Sequence, residues 1–79
     1  MKDLLEWVAR ALVDEPDEVQ VSSFEEEDGT VVLEISVAPD DAGLLIGRGG
    51  RTINAVRSVM RAASIRAEKR VLVDVVDPE

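Results

Sequence analysis

The sequence predicts an α+β fold with a three-stranded mixed sheet and three helices on one of its faces. Three observations lead there. Two stretches alternate apolar and polar residues around a glycine turn, a third such stretch closes the chain, and the apolar residues between and before them recur at helical spacing. The predicted order is α-β-β-α-α-β.

Residues 3–13, DLLEWVARALV, place Leu4, Leu5, Val8, Ala11 and Leu12 on one helical face. Pro16, within DEPDE, stops that helix and opens a turn. VQVSSF follows, with Val19 and Val21 in alternation, and then the acidic EEEDG. Asp28-Gly29 reads as a two-residue hairpin turn, because both residues tolerate positive φ. In TVVLEISV, Val31, Leu33, Ile35 and Val37 share one side, and Val32, Glu34 and Ser36 share the other. That pairing is a hairpin with one buried face.

APDDAGLLIG begins with residues suited to a helix start, and Asp40-Asp41 is expected to cap it. Gly47 limits this second helix to about two turns. RTINAVRSVMRAASIRAEK then carries Ile53, Val56, Val59, Met60, Ala63 and Ala67 as a core stripe. Ile65 falls off that stripe, which means either that the helix has ended or bent there, or that an apolar side chain is left for a partner. RVLVDVV alternates as the third strand, and Pro78 is expected to end the order. The helices between the second and third strands make a crossover, so those strands run parallel if adjacent.

Composition removes much chemistry. The 79 residues include no cysteine and no histidine, so disulfides, thiolate catalysis, zinc sites of the usual ligands and imidazole acid–base catalysis are excluded. The carboxylate clusters, Asp40-Asp41 and EEED, have no nucleophile or base beside them and are expected to serve as a helix cap and a solvated hairpin tip. No cofactor or metal site is expected, and the reading is not an enzyme. No apolar run spans a membrane, and MKDLLEWVAR lacks the form of a signal peptide, so a cytoplasmic protein without membrane association is expected. One domain covers residues 1–79.

Charge is segregated. Between Leu44 and Arg70 lie Arg48, Arg51, Arg57, Arg61, Arg66, Lys69 and Arg70 against one acid, Glu68, a local +6. The remainder of a chain with net charge −8 therefore carries −14. A charged patch acts over roughly a Debye length of ~10 Å, so an acidic protein can still present a cationic face.

That face contains LLIGRGGRTI, residues 44–53, which holds three of the five glycines. A helix end explains Gly47 alone. It explains neither Gly49 and Gly50 nor the arginines at 48 and 51. Bare backbone lets a ligand come close, consecutive amides form an anion nest, and the next helix starts with free N–H groups and a positive dipole end. Arg48 and Arg51 add forked donors that match phosphate oxygens. The Lys-Ser/Thr of a mononucleotide loop is missing, and no strand precedes the glycines as a dinucleotide fingerprint requires. A helix–loop–helix backed by a sheet fits a chain of phosphates.

LLIGRGGRTI resembles the I-G-x-x-G-x-x-I signature of KH domains, with Ile46, Gly47, Gly50 and Ile53 in its fixed places. The element order is similar to the type II KH arrangement, and the chain resembles the small stand-alone bacterial KhpA-like RNA-binding proteins. The resemblance implies binding of single-stranded RNA, with the GXXG loop clamping the backbone of about four nucleotides and an apolar groove taking their bases. It implies that Gly47 and Gly50 are the fixed loop glycines, that Arg48 and Gly49 are the variable pair, and that Ile46 and Ile53 pack to hold the groove. It also implies post-transcriptional regulation or RNA chaperoning, and a homodimer or a heterodimer with a larger KH-containing RNA-binding protein. From helical spacing, Arg51, Asn54, Arg57, Ser58 and Arg61 form a stripe continuing from the loop. The RNA-binding set is therefore Ile46, Gly47, Arg48, Gly49, Gly50, Arg51, Asn54 and Arg57. The alternative is a dimerisation module in which RNA binding is vestigial.

Overall fold

A computed structural model describes residues 1–76; the expected end of order at Pro78 lies outside them. The elements are α1 (Lys2–Leu12), β1 (Gln20–Glu25), β2 (Val31–Ser36), α2 (Ala42–Ile46), α3 (Arg51–Arg66) and β3 (Val71–Val75). Single 3₁₀ turns at Pro16–Glu18, Pro39–Asp41 and Arg48–Gly50 lead into β1, α2 and α3. The sheet order is β1-β2-β3, with β1 antiparallel and β3 parallel to the central β2.

Alternation decides which sheet face the helices cover. Val21, Leu33, Ile35 and Val73 are buried on one side, where Leu5 and Ala9 of α1, Leu45 of α2, and Ile53, Val56 and Met60 of α3 meet them. Burying a side chain such as Leu5, Leu33 or Met60 contributes roughly 1.5–3 kcal/mol. Leu45 has the further duty of placing the glycine loop. A five-residue helix does not hold itself together, and the complete burial of Leu45 fastens α2 to the core.

The hairpin differs from the expected two-residue turn. Glu26 N–H donates to the Thr30 carbonyl at 2.8 Å and Gly29 N–H to the Glu26 carbonyl at 2.9 Å. Residues 27–29 thus form a three-residue loop in which Gly29 alone has positive φ, at 89°. This is a turn followed by a left-handed residue, which suits the strand twist without asking Asp28 for a strained backbone. Asp28 Oδ1 instead accepts the Thr30 N–H at 2.9 Å. That bond, then one with the Thr30 side chain, holds the Asp28 carboxyl below its ordinary value of 3.8.

Helix seating corrects three further expectations. On α1, Ala11 and Leu12 are exposed and Ala9 replaces them in the core, because the buried stripe runs through Leu5 and Ala9, four residues apart, and Ala11 points away from it. On α3, Val59 and Ala67 face outward, while Ser64 occupies the stripe after Ile53, Val56 and Met60. A spacing of 3, 4 and 4 residues keeps this stripe narrow on a helix packed against a sheet. Ser64 is tolerated there because its hydroxyl donates to the Arg61 carbonyl at 2.7 Å. Ile65 is 71% exposed with the helix unbroken through Arg66, so it is an apolar side chain without cover.

Asp41 is the third. No side-chain bond caps α2; Asp41 is buried and its Oδ2 accepts the Glu15 N–H at 2.9 Å. It ties the segment after α1 to the start of α2, a structural duty. On the uncovered face, Phe24, Val32 and Leu72 stand in register across the three strands, and the flanking pair leaves Val32 only 6% exposed.

Candidate nucleic-acid interface

The stretch Ile46–Arg51 joins α2 to α3 through one 3₁₀ turn. Three glycines make that possible: Gly47, Gly49 and Gly50 have φ of 78°, 64° and 79°. Their demands differ. A Cβ on Gly47 would collide with the Cβ and Oγ1 of Thr52, so that position is closed to side chains on two counts. A Cβ on Gly49 would meet nothing within 4 Å, and one on Gly50 would come no nearer than 3.8 Å to Asn54 Nδ2. Those two sites are open to solvent.

Two loop amides turn inward, Gly50 N–H to the Gly47 carbonyl at 3.1 Å and Arg51 N–H to the Arg48 carbonyl. The expected nest of consecutive amides is cut back accordingly. What faces outward is the start of α3, whose N-terminal Gly50 offers no side-chain cap. The positive end of a 16-residue helix therefore opens beside the exposed Arg48 and Arg51. Among the described residues the ion pairs are Lys2–Glu6 and Arg10–Glu6, so none of the five arginines from 48 to 66 is neutralised.

Along α3 the predicted stripe is partly committed. Arg57 is half-buried; its Nε donates to the Val73 carbonyl at 3.2 Å and its Nη1 to Asn54 Oδ1 at 3.4 Å. That second bond leaves the Asn54 amide nitrogen toward Gly50. Ser58 is spent on the Asn54 carbonyl at 3.1 Å and adds no free donor to the stripe. Ile46 also departs from expectation. It is 39% exposed, while Leu45 takes the core position and Ile53, at 5%, packs as foreseen. α2 is about one turn and a half long, so only one of its two last residues can face the sheet. Ile46 and the exposed Leu44 stand instead as apolar flanks of the loop.

β3 is an edge strand, and between it and α3 lies a cleft of about 250 Å³ lined by Arg57, Arg61, Val71, Leu72, Val73 and Asp74. The β3 residues were absent from the predicted set. Alternation could place Leu72 and Asp74 on one strand face, but the free edge is a consequence of sheet order, which local pattern does not encode. A larger hollow of about 470 Å³ sits by the hairpin and the α3–β3 connection, lined by Glu25, Asp28, Gly29, Thr30, Glu68, Lys69 and Arg70. It is far along α3 from the glycines and has no single sign of charge.

A family model described as KhpA/KhpB, KH domain, matches residues 2–75. The chain belongs to the KhpA/KhpB KH-domain family. Its element order and mixed sheet are those of the type II KH arrangement. Among curated relatives, RNA-binding protein KhpA of Clostridium acetobutylicum is 49% identical over 76 residues, covering 96% of this chain and 100% of that protein. RNA-binding protein KhpA of Halalkalibacterium halodurans is 50% identical over 98% of this chain and 100% of its own length. RNA-binding protein KhpA of Streptomyces coelicolor is 45% identical, covering 95% and 94% respectively. No solved structure matches the chain. In this KH family member, Gly47-Arg48-Gly49-Gly50 has G-x-x-G spacing and joins α2 to α3.

Proposed function

We propose that this chain is a non-catalytic, single-stranded RNA-binding protein that grips the RNA backbone with Gly47-Arg48-Gly49-Gly50. The observation that carries the reading is the un-neutralised Arg48 and Arg51 beside the uncapped start of α3. The relatives' names, RNA-binding protein KhpA, support it. Phosphates lie against the loop and helix end. Arg51 and the Asn54 amide extend the contact, Ile46 borders it, and Arg57 shapes the cleft into which bases turn. One KH domain over residues 1–79, acting in the cytoplasm in post-transcriptional regulation or RNA chaperoning, completes the proposal. Among the described residues, no helix is long and apolar enough to cross a membrane.

Replacing Arg48 and Gly49 together with aspartate tests the loop. Aspartate is among the residues that accept the left-handed backbone of position 49, and the space there is open, so the fold is retained. Binding of a short single-stranded RNA should fall at least about tenfold, with an unchanged circular dichroism spectrum. Native protein should also lose affinity between about 50 and about 300 mM salt, because phosphate contacts release counterions. A folded variant that binds as before would overturn the assignment.

A second reading, a dimerisation module, or a heterodimer with a larger KH-containing protein, has its own observation. Phe24, Val32 and Leu72 form an apolar row on the uncovered sheet face, and Ile65 and Trp7 are exposed on the helices. A tight dimer by size-exclusion light scattering with no measurable RNA affinity would favour it.

A further inference from the structure

We propose that the open face of the sheet docks a cationic amphipathic helix of a partner protein. The inference goes beyond RNA binding and concerns the side of the sheet away from the helices, which cover Val21, Leu33, Ile35 and Val73. Alternation puts Phe24, Val32 and Leu72 on the open side, in register across β1, β2 and β3. Phe24 is 48% exposed and Leu72 50%, so the row lacks a cover. The next row on the same face is Ser22, Glu34 and Asp74, again in register. Glu34 and Asp74 thus stand side by side on parallel strands, and neither has an ion-pair partner among the described residues.

Charge then selects the occupant. Like charges side by side on adjacent strands are unfavourable, and a cation set over the Glu34–Asp74 pair relieves both. The surroundings reinforce the sign. The chain has no lysine or arginine between Arg10 and Arg48, and Glu25, Glu26, Glu27 and Asp28 follow Phe24 into the hairpin. Arg70 shares the hairpin hollow with Asp28, across the apolar row from Glu34 and Asp74. Neighbouring strands lie about 4.8 Å apart, so the row is about 10 Å long. Two turns of helix, about 5.4 Å each, set apolar residues i, i+3 or i+4, and i+7 along that length. Lysines or arginines on the flank of such a helix fall over the carboxylate row, about 7 Å away along the strands. The same carboxylates repel RNA and anionic lipid. A second copy docking through this patch brings Glu34, Asp74 and the acidic hairpin against a single Arg70, so like charges outnumber opposite ones.

The probe is a synthetic leucine–lysine peptide of about fourteen residues patterned as an amphipathic helix, roughly 21 Å long. A scrambled peptide of the same composition and a leucine–glutamate counterpart are the controls. Fluorescence anisotropy is read at about 150 mM salt, which screens exposed charges beyond about 8 Å. The ordered leucine–lysine peptide should bind native protein at least about tenfold more tightly than the scrambled one, because only the ordered peptide matches row to row. The glutamate peptide should not bind. Phe24→Ser should weaken the ordered peptide about tenfold, and Glu34→Gln about threefold to tenfold. Glu34→Gln keeps the side-chain shape and removes a like-charge pair, so that variant retains its fold by circular dichroism. Amide shifts on adding the peptide should centre on Phe24, Val32, Glu34 and Leu72. A short single-stranded RNA should bind both variants as it binds native protein, since neither position lies on the arginine-bearing turn. Equal affinity for ordered and scrambled peptides, affinity unchanged in both variants, or shifts centred on residues 25–28 overturns the inference. Absence of peptide binding overturns it too, and a dimer that Phe24→Ser dissociates would then assign the face to a second copy.

Discussion

Two turns in this molecule rest on glycine with positive φ, and they do opposite things. Gly29 closes the β1–β2 hairpin amid Glu25, Glu26, Glu27 and Asp28; Gly47, Gly49 and Gly50 join α2 to α3 between Arg48 and Arg51. In the hairpin the nearby polar group is consumed locally, with Asp28 accepting the Thr30 N–H. At the helix junction Arg48 and Arg51 find no carboxylate among the described residues, and no side chain caps α3. Conformational need alone therefore does not mark a binding site. Unspent charge around the bare backbone does.

Alanine at one turn and then the other sharpens the contrast. Gly47→Ala meets both a left-handed backbone and the Thr52 side chain, costs of roughly 1–2 and 1–3 kcal/mol. A loss of about 3 kcal/mol, on the order of 10–20 °C in melting temperature, is expected for so small a domain. Gly29→Ala has the backbone cost without the collision, about 1 kcal/mol. Equal melting temperatures for the two variants would break the distinction between a packed glycine and a merely bent one.

The smallest effect is a pH dependence at the hairpin. Thr30's backbone N–H, chiefly, depresses the Asp28 carboxyl in the folded state. A depressed folded value means that the bond's contribution is complete above the ordinary value of 3.8 and is lost as pH falls through the folded one. The gap in melting temperature between native protein and Asp28→Ala should accordingly narrow below that range. A gap constant down to the most acid pH would show that the Asp28 bond is absent in solution.

The same contrast explains what could be read from residues alone. Element order, the hairpin, the glycine loop and its arginines were legible, because each depends on spacing along a few consecutive residues. Which side of a helix touches the sheet was less so. Val59 and Ser64 exchange their expected roles on α3, and Leu45 rather than Ile46 anchors α2, since seating depends on neighbours distant in sequence. The hairpin loop gained a residue because Asp28 was more useful as an acceptor than as a left-handed turn residue. Arg57 is the instructive case at the site. Its place on the cationic stripe came from helical periodicity, but its bond to Val73 required knowing that β3 is an edge.

The central claim is that RNA lies on the arginine-bearing turn and the adjoining cleft while the hairpin and open sheet face stay free. Amide chemical shifts followed by NMR during titration with a short single-stranded RNA test it most directly. Shifts concentrated at Ile46–Arg61 and Val71–Asp74, with Phe24, Val32 and the 25–30 turn unmoved, are the expected outcome. Shifts centred on Phe24, Val32 or the acidic turn would contradict it.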